Sequence, residues 1–196
     1  MHAYSHNHGE RVRVILVIAF LSLILVWALH WVLLQTSVSI PWWFGTPSVL
    51  GTFAIFQTVF DRSLWKNQLI RHLLSISVPT LQGRWKGKIV SSDSGHSNPI
   101  DAYLTIAQTW TQMALSIETS TSISRTRMAA FLPDEPSGLS LVYEYLCEPK
   151  PHAMTTMHIH HGTGKLHFSL NQVDLEGSYY TGRDRLTFGS FSFSRI

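Results

Sequence analysis

Residues 14–34 contain no Lys, Arg, Asp or Glu, and neither do residues 40–60. Each run is about twenty residues long. A helix of that length, rising ~1.5 Å per residue, crosses a bilayer core of ~30 Å. The first run, VILVIAFLSLILVWALHWVLL, is apolar on every side, with Trp27 and Trp31 near its far end where indoles prefer the headgroup zone. A signal peptide is the competing reading, but its apolar region is usually ~7–15 residues and is followed by small residues. The second run, IPWWFGTPSVLGTFAIFQTVF, is weaker, because it carries Pro47, Gly45, Gly51 and Gln57. Membrane helices tolerate Gly and Pro, and a buried helix of a soluble domain is the alternative. Gly45, Ser48, Gly51 and Thr52 offer small residues for close helix packing.

Charge sets the expected topology. Arg11 and Arg13 precede the first run, Arg62, Lys66 and Arg71 follow the second, and the connector 35–39 is uncharged. Positive flanks stay on the cytoplasmic side, so both termini of a multi-pass protein are expected in the cytoplasm. The expected division is a membrane hairpin at 1–62, a helical neck at 63–79 and a soluble domain at 80–196. The neck sequence SLWKNQLIRHLLSIS places Leu64, Leu69, Leu73 and Ile76 near one helical face.

The formal charge of +3 does not indicate nucleic acid. From residue 80 onward the chain has 10 Lys/Arg and 10 Asp/Glu, so the excess of 5 against 2 lies in the first 79 residues, where it orients the spans. Neither DNA nor RNA is an expected partner. The single cysteine, Cys147, excludes an internal disulfide.

After residue 80 the pattern alternates with period two. Strands are expected at 81–90, 102–108, 112–119, 123–132, 139–148, 155–161, 165–171, 174–181 and 185–194, with no helix between them. Eight to nine short strands imply an antiparallel barrel or sandwich. The segment Gly83-Arg84-Trp85 resembles the first strand of lipocalin-type barrels, where a Trp plugs one end. An eight-stranded barrel leaves an interior just wide enough for side chains or one small ligand.

No nucleophile elbow, phosphate-binding Gly-rich loop or Cys-rich metal spacing is present, so no enzyme, catalytic residue, metal or cofactor is expected. His158 and His160 share a strand face without an acidic or Cys partner nearby in sequence, and read as ordinary polar residues or ligand contacts. The segment GSYYTGRDRLTFG, residues 177–189, gathers aromatics, arginines and threonines around Gly182. Arg pairs with phosphate and Tyr offers a stacking face, whereas the plainer reading is a hairpin with surface ion pairs. Arg125 and Arg127 form a second basic pair with the same two readings.

Two N-terminal spans, a neck, and then LQGRWKGKI, QTWTQMALSIETSTSIS, LVYEYLCEP, MHIHHGTGKL and LEGSYYTGRDRLTFGSFSF resemble the two-transmembrane, β-strand-rich effectors of bacterial CBASS antiphage systems, which are associated with cGAS/DncV-like nucleotidyltransferases. The resemblance implies two transmembrane α-helices followed by an antiparallel eight-stranded, lipocalin-like minimal β-barrel. It also implies that the barrel senses a cyclic dinucleotide from the partner nucleotidyltransferase. Binding would promote homo-oligomerisation, inner-membrane disruption and abortive-infection cell death. From the strand faces read here, Tyr180, Thr181, Arg183 and Arg185 are assigned to the ligand, with Trp110, Thr119 and Tyr143 as wall residues. The alternative functions are a membrane-tethered, lipocalin-like carrier of a lipid or other apolar ligand, and a structural anchor that recruits a protein.

Overall fold

The structure, a computed structural model, describes residues 1–6, 8–35, 45–94, 98–134, 138–155, 157–168, 173–182 and 185–196. The chain forms two compact units, Asn7–Ser77 and Met1–His6 with Val78–Ile196.

The first unit is helical. Helix α1 spans His8–Leu34 and α2 spans Gly45–Arg62. Val14, Ile18 and Ser22 recur every four residues and are buried within the unit, where α1 and α2 pack together. Ser22 satisfies its own hydroxyl by donating to the Ile18 carbonyl at 2.8 Å. Leu16, Phe20, Trp27 and Trp31 on α1 and Leu50 and Ile55 on α2 are exposed, an apolar exterior that suits lipid rather than water. Among the described residues, α1 is the one helix long and apolar enough to cross a membrane. Residues 40–44, the start of the second expected span, lie outside the described residues.

The neck is not one helix. A 3₁₀ turn at Leu64–Lys66 is followed by α3 at Gln68–Leu73. Asn67 is the reason: its backbone is extended, and its side chain accepts from the Leu69 N–H at 2.9 Å, starting a new helix there. Arg13 donates to the Leu74 carbonyl at 3.1 Å and ties the end of this segment to the start of α1.

The second unit is a closed meander. Its strands are β1 (His2–Ala3), β2 (Gly83–Ser91), β3 (Ile100–Gln108), β4 (Gln112–Thr119), β5 (Ser122–Asp134), β6 (Gly138–Pro149), β7 (His160–Phe168), β8 (Asp174–Thr181) and β9 (Phe188–Arg195). Each of β2 to β9 pairs antiparallel with its neighbours, and β9 returns to β2, so eight strands close a barrel. Every strand of the ring is thus paired on both sides, although β4 and β5 meet directly at only three positions. The short β1 adds to β4, with His2 opposite Met113 and Ala3 opposite Gln112. Two strands expected at 155–161 and 165–171 are one strand, β7. Gly162-Thr163-Gly164 reads as a turn in sequence but runs on as ladder, paired with Tyr145, Glu144 and Tyr143.

The barrel has a filled end and a hollow end. At the filled end Trp85 is fully buried, donates its indole N–H to the Leu81 carbonyl at 3.2 Å, and lies under the Arg195 guanidinium at 5.3 Å. Leu104, Ile106, Met113, Leu166 and Phe193 pack into the same core. Gln108 fixes the entering chain: its Oε1 accepts from Leu81 N–H at 2.8 Å and its Nε2 donates to the Pro79 carbonyl at 3.0 Å. The chain enters at this end, so the reversals β2–β3, β4–β5, β6–β7 and β8–β9 all fall at the other.

Candidate functional site

At that other end the inward positions carry small polar side chains, Ser91, Thr119, Ser122, Ser124, Thr181 and Thr187, where the filled end carries Trp, Leu and Phe. The exchange leaves an open cavity of about 190 Å³ to which every strand of the ring contributes. At roughly 10–15 Å³ per water position, it holds on the order of a dozen waters, far more than a packing defect.

Three tyrosines shape the wall. Tyr143 and Tyr145 project from β6 and Tyr179 from β8. Tyr143 lies directly opposite Gly164 and Tyr145 directly opposite Gly162 in the β6–β7 ladder. A Cβ built on Gly164 would come within 2.5 Å of the Tyr143 ring, and one on Gly162 within 2.3 Å of the Tyr145 hydroxyl. The rings therefore lie down over the two glycines, and this keeps the bore open. Burial pushes the Tyr143 and Tyr145 hydroxyls well above the ordinary phenol range, with the neighbouring tyrosines adding to the shift, so both stay protonated. The Tyr143 hydroxyl is buried and has no hydrogen-bond partner among the described residues. Such a group costs ~1–3 kcal/mol until an acceptor arrives.

Cys147 and His160 face each other across the same ladder and both line the cavity. His160 donates from Nδ1 to the His158 carbonyl at 2.9 Å, which leaves Nε2 for the Cys147 thiol. Burial pushes the thiol up, but hydrogen bonds from His160, Ser124 and Ser122 together bring it below the usual thiol value. The thiol in turn raises the His160 imidazole against burial. At the mouth, Arg185 Nη2 meets Asp93 Oδ2 at 2.7 Å. The β8–β9 turn is pinned beside it: Thr181 Oγ1 accepts from the Thr187 N–H at 2.7 Å and donates to the Thr187 carbonyl at 3.1 Å.

Of the residues expected from sequence, the structure brings Thr119, Tyr143, Thr181 and Arg185 together on the cavity wall. Arg183 lies outside the described residues. Tyr180 does not join them. It is 60 % exposed on the outer face of β8, because Tyr179 and Thr181 point inward and strand alternation turns the residue between them out. Trp110 does not join them either. It is 2 % exposed in the β3–β4 turn at the filled end, with its ring edge-to-face on His6 at 4.8 Å. His160, read from sequence as a polar residue or ligand contact, lines the cavity, and Tyr145, Cys147, Tyr179, Ser122 and Ser124 line it without having been assigned to the ligand. Alternation carried the signal for three of them, since Tyr143, Tyr145 and Cys147 are spaced by two, and Tyr179 shares parity with Thr181. Among the described residues no group of three or more His, Cys, Asp and Glu is placed to hold a metal. The wall can accept a ligand through hydroxyl donors, flat aromatic faces, one thiol–imidazole pair and the Arg185 cation.

The comparisons with known proteins agree with this architecture. A family model described as "Cap15, cyclic dinucleotide receptor domain" matches residues 76–195, which include the whole eight-stranded ring. The CD-NTase-associated protein 15 of Yersinia aleksiciae is 30% identical over 154 residues, covering 78% of this chain and 72% of that protein. The chain belongs to the Cap15 family of CBASS effectors, and its β-barrel is that family's cyclic dinucleotide receptor domain.

Proposed function

We propose that the chain is a membrane effector whose barrel cavity takes up a cyclic dinucleotide made by a partner nucleotidyltransferase, and that binding drives homo-oligomerisation and disruption of the inner membrane, killing the infected cell. The observation that carries the binding step is the Tyr143 hydroxyl, buried, protonated and unpartnered on the wall of an open cavity. A ligand acceptor that reaches it removes an unmet hydrogen bond inside the barrel. Tyr145 and Tyr179 supply faces for base stacking, and Arg185 supplies a cation for phosphate. In this reading no catalytic step occurs, and the ligand acts by binding the assembled state better than the resting one.

Connectivity supports a reading with two membrane crossings. Residues 1–6 are part of the barrel unit, so the helical segment is joined to that unit through the chain at both of its ends. If α1 crosses the bilayer, the chain must cross again before residue 78, and α2 is the helix available among the described residues. Both termini then lie in the cytoplasm, as the flanking charges require.

The wall is mixed, with Ile89, Ile117, Met157 and Phe191 beside hydroxyls, a thiol, an imidazole and a guanidinium, so an apolar carrier is the second reading and direct binding separates the two. The test uses the full chain in lipid nanodiscs, titrated by calorimetry with cyclic di-UMP, cyclic di-AMP, cyclic UMP–AMP and cyclic GMP–AMP, then with a fatty acid. Saturable binding of a cyclic dinucleotide supports the reading. Binding of the fatty acid alone sinks it. Dye release from liposomes carrying the protein, on addition of the bound dinucleotide, tests the membrane step.

A further inference from the structure

The closed ring has one wedge-shaped gap, and the chain's own amino end fills it. Strands β4 and β5 pair directly at only three positions, Ser116 with Arg125, Ile117 with Ser124, and Glu118 with Ile123. The register of β5 then shifts between Thr126 and Met128, and its remainder follows β6 alone. In the space that opens, His2 and Ala3 pair with Met113 and Gln112 of β4. On the other side, Ser5 donates its N–H to the Ala129 carbonyl at 3.2 Å and accepts from the Phe131 N–H at 2.8 Å. Thr126 marks the apex: its Oγ1 accepts from the Leu115 N–H at 3.0 Å and meets His2 Nε2 at 2.9 Å. Tyr4 is buried edge-on to Phe131 at 5.6 Å, and His6 is buried against Trp110.

The same two strands wall the cavity at their other ends, through Ile117 and Thr119 of β4 and Ser122 and Ser124 of β5. We propose that residues 2–6 are a displaceable strap, and that a ligand held between β4 and β5 expels it by drawing β5 onto the β4 edge that the strap occupies. The inference rests on the ligand reading above. Its physical basis is competition. The β4 edge at Gln112 and Met113 can be paired by the strap or by an extended β5, but not by both, while Leu115 is already held by Thr126 of β5. Exchanging one short ladder for another changes the number of hydrogen bonds little, so the two arrangements form a bistable element that a ligand with differential affinity can tip. Since α1 begins at His8, expelling the strap unties the amino end of the first membrane helix from the receptor.

The pair Ala3 and Gln112 gives the test. Directly opposed antiparallel residues have Cα atoms ~4.5–5.5 Å apart, within disulfide reach. The full chain carrying Ala3→Cys and Gln112→Cys is placed in nanodiscs and oxidised with copper phenanthroline. Cross-linking is timed with and without cyclic di-UMP, cyclic di-AMP, cyclic UMP–AMP or cyclic GMP–AMP, and binding of each is measured on the same sample. The expected result is rapid cross-linking of the free protein and a rate lowered about tenfold by whichever dinucleotide binds. A bound dinucleotide that leaves the rate unchanged overturns the proposal, as does a free protein that does not cross-link. If none binds while cross-linking proceeds, the strap is docked but the ligand reading, and displacement with it, is wrong. Hydrogen exchange on the unmodified chain reads the same event without substitutions: on ligand binding the Ser5 amide should lose protection while the Leu115 amide keeps it, and retained Ser5 protection overturns the proposal.

Discussion

Glu10, in the first turns of α1, accepts hydrogen bonds from both the N–H and the hydroxyl of Ser77, at the far end of the neck. The N–H contacts measure 3.2 and 3.3 Å to the two carboxylate oxygens. The helical unit therefore ends where it begins. In the proposed two-crossing reading, a chain that leaves the helix pair beside its entry point crosses an even number of times. We expect short epitope tags placed before Met1 and after Ile196 to resist protease together in intact spheroplasts, and to be cut together once the inner membrane is opened. Protection of one tag alone would contradict the paired crossing. Replacing Glu10 with Gln keeps an acceptor but removes the charge, and hydrogen bonds to charged groups contribute ~1.5–3 kcal/mol. Because the amide still accepts, with neutral bonds contributing ~0.5–1.5 kcal/mol, detergent-solubilised E10Q should lose about 1 kcal/mol of stability.

The orphaned hydroxyl of Tyr143 makes a prediction of opposite signs in two states. Tyr143→Phe keeps the ring over Gly164 and deletes a buried donor that has no partner in the ligand-free protein. The free protein should be unchanged or stabilised, by up to about 1–3 kcal/mol, since an unmet desolvation cost is removed. Ligand affinity should fall by roughly tenfold, the equivalent of one hydrogen bond. Thermal melts and calorimetric titration of the same preparation check both halves. A variant that melts earlier and binds normally would show that the hydroxyl serves the fold instead.

Much of the barrel was legible because strand alternation is a local signal. The strands expected at 112–119 and 174–181 coincide with β4 and β8, since period-two patterning is a local signal that each segment carries by itself. The strand pair expected around Gly162 and Gly164 misread local turn chemistry: the glycines answer to Tyr145 and Tyr143 on the neighbouring strand, a contact that only the ladder register reveals. The cavity was half legible. Thr119, Tyr143, Thr181 and Arg185 were found by residue chemistry, whereas Tyr180 was chosen over Tyr179 because adjacent tyrosines differ only in parity. Trp110 had the right chemistry at the wrong end, and nothing local distinguishes the ends of a closed ring. The strand at His2–Ala3 was invisible, because two residues carry no period and their partner lies over a hundred positions away.

The Cys147–His160 pair gives the site a pH dependence of defined sign. The Cys147 thiol holds the imidazole above its ordinary 6.5, partly opposed by burial and by the Arg185 charge. A group whose folded value is raised stabilises the fold fully below its unfolded value, and that contribution is lost as pH rises through the folded value. His160→Gln should therefore lower the melting temperature more at pH 5.5 than at pH 8, values chosen about a unit or more either side of an ordinary histidine. The thiol's contribution runs the other way: its folded value lies below 9.0, so that contribution is present above the unfolded value and lost as pH falls through the folded one. In Cys147→Ala the His160 ring should titrate lower, because its largest raising contact is gone. Nuclear magnetic resonance titration of the imidazole carbon signal reads this directly. An unmoved His160 titration in C147A would mean that the two side chains do not share the hydrogen bond.

The sharpest separation between fold and site is available at Gly164. The ladder needs only its backbone, which pairs with Tyr143 on one side and Tyr179 on the other. A methyl group there meets the Tyr143 ring at 2.5–2.8 Å, closer than real Cβ contacts allow, so the ring must lift off the strand into the bore. Because the cavity lies beside it, the ring has somewhere to go, and the strain is relieved without opening the barrel. Gly164→Ala should therefore cost ~1–3 kcal/mol, the range for overpacking, while the β-sheet circular dichroism is retained. Ligand binding should be lost outright, because the displaced ring occupies the space that the ligand needs and carries its hydroxyl away from the wall. Gly51→Ala, in α2, where the added carbon meets nothing within 4 Å, is the matched control and should bind as the parent does. If G164A binds the dinucleotide with parental affinity, Tyr143 does not line the occupied volume, and the ligand must sit elsewhere on the barrel.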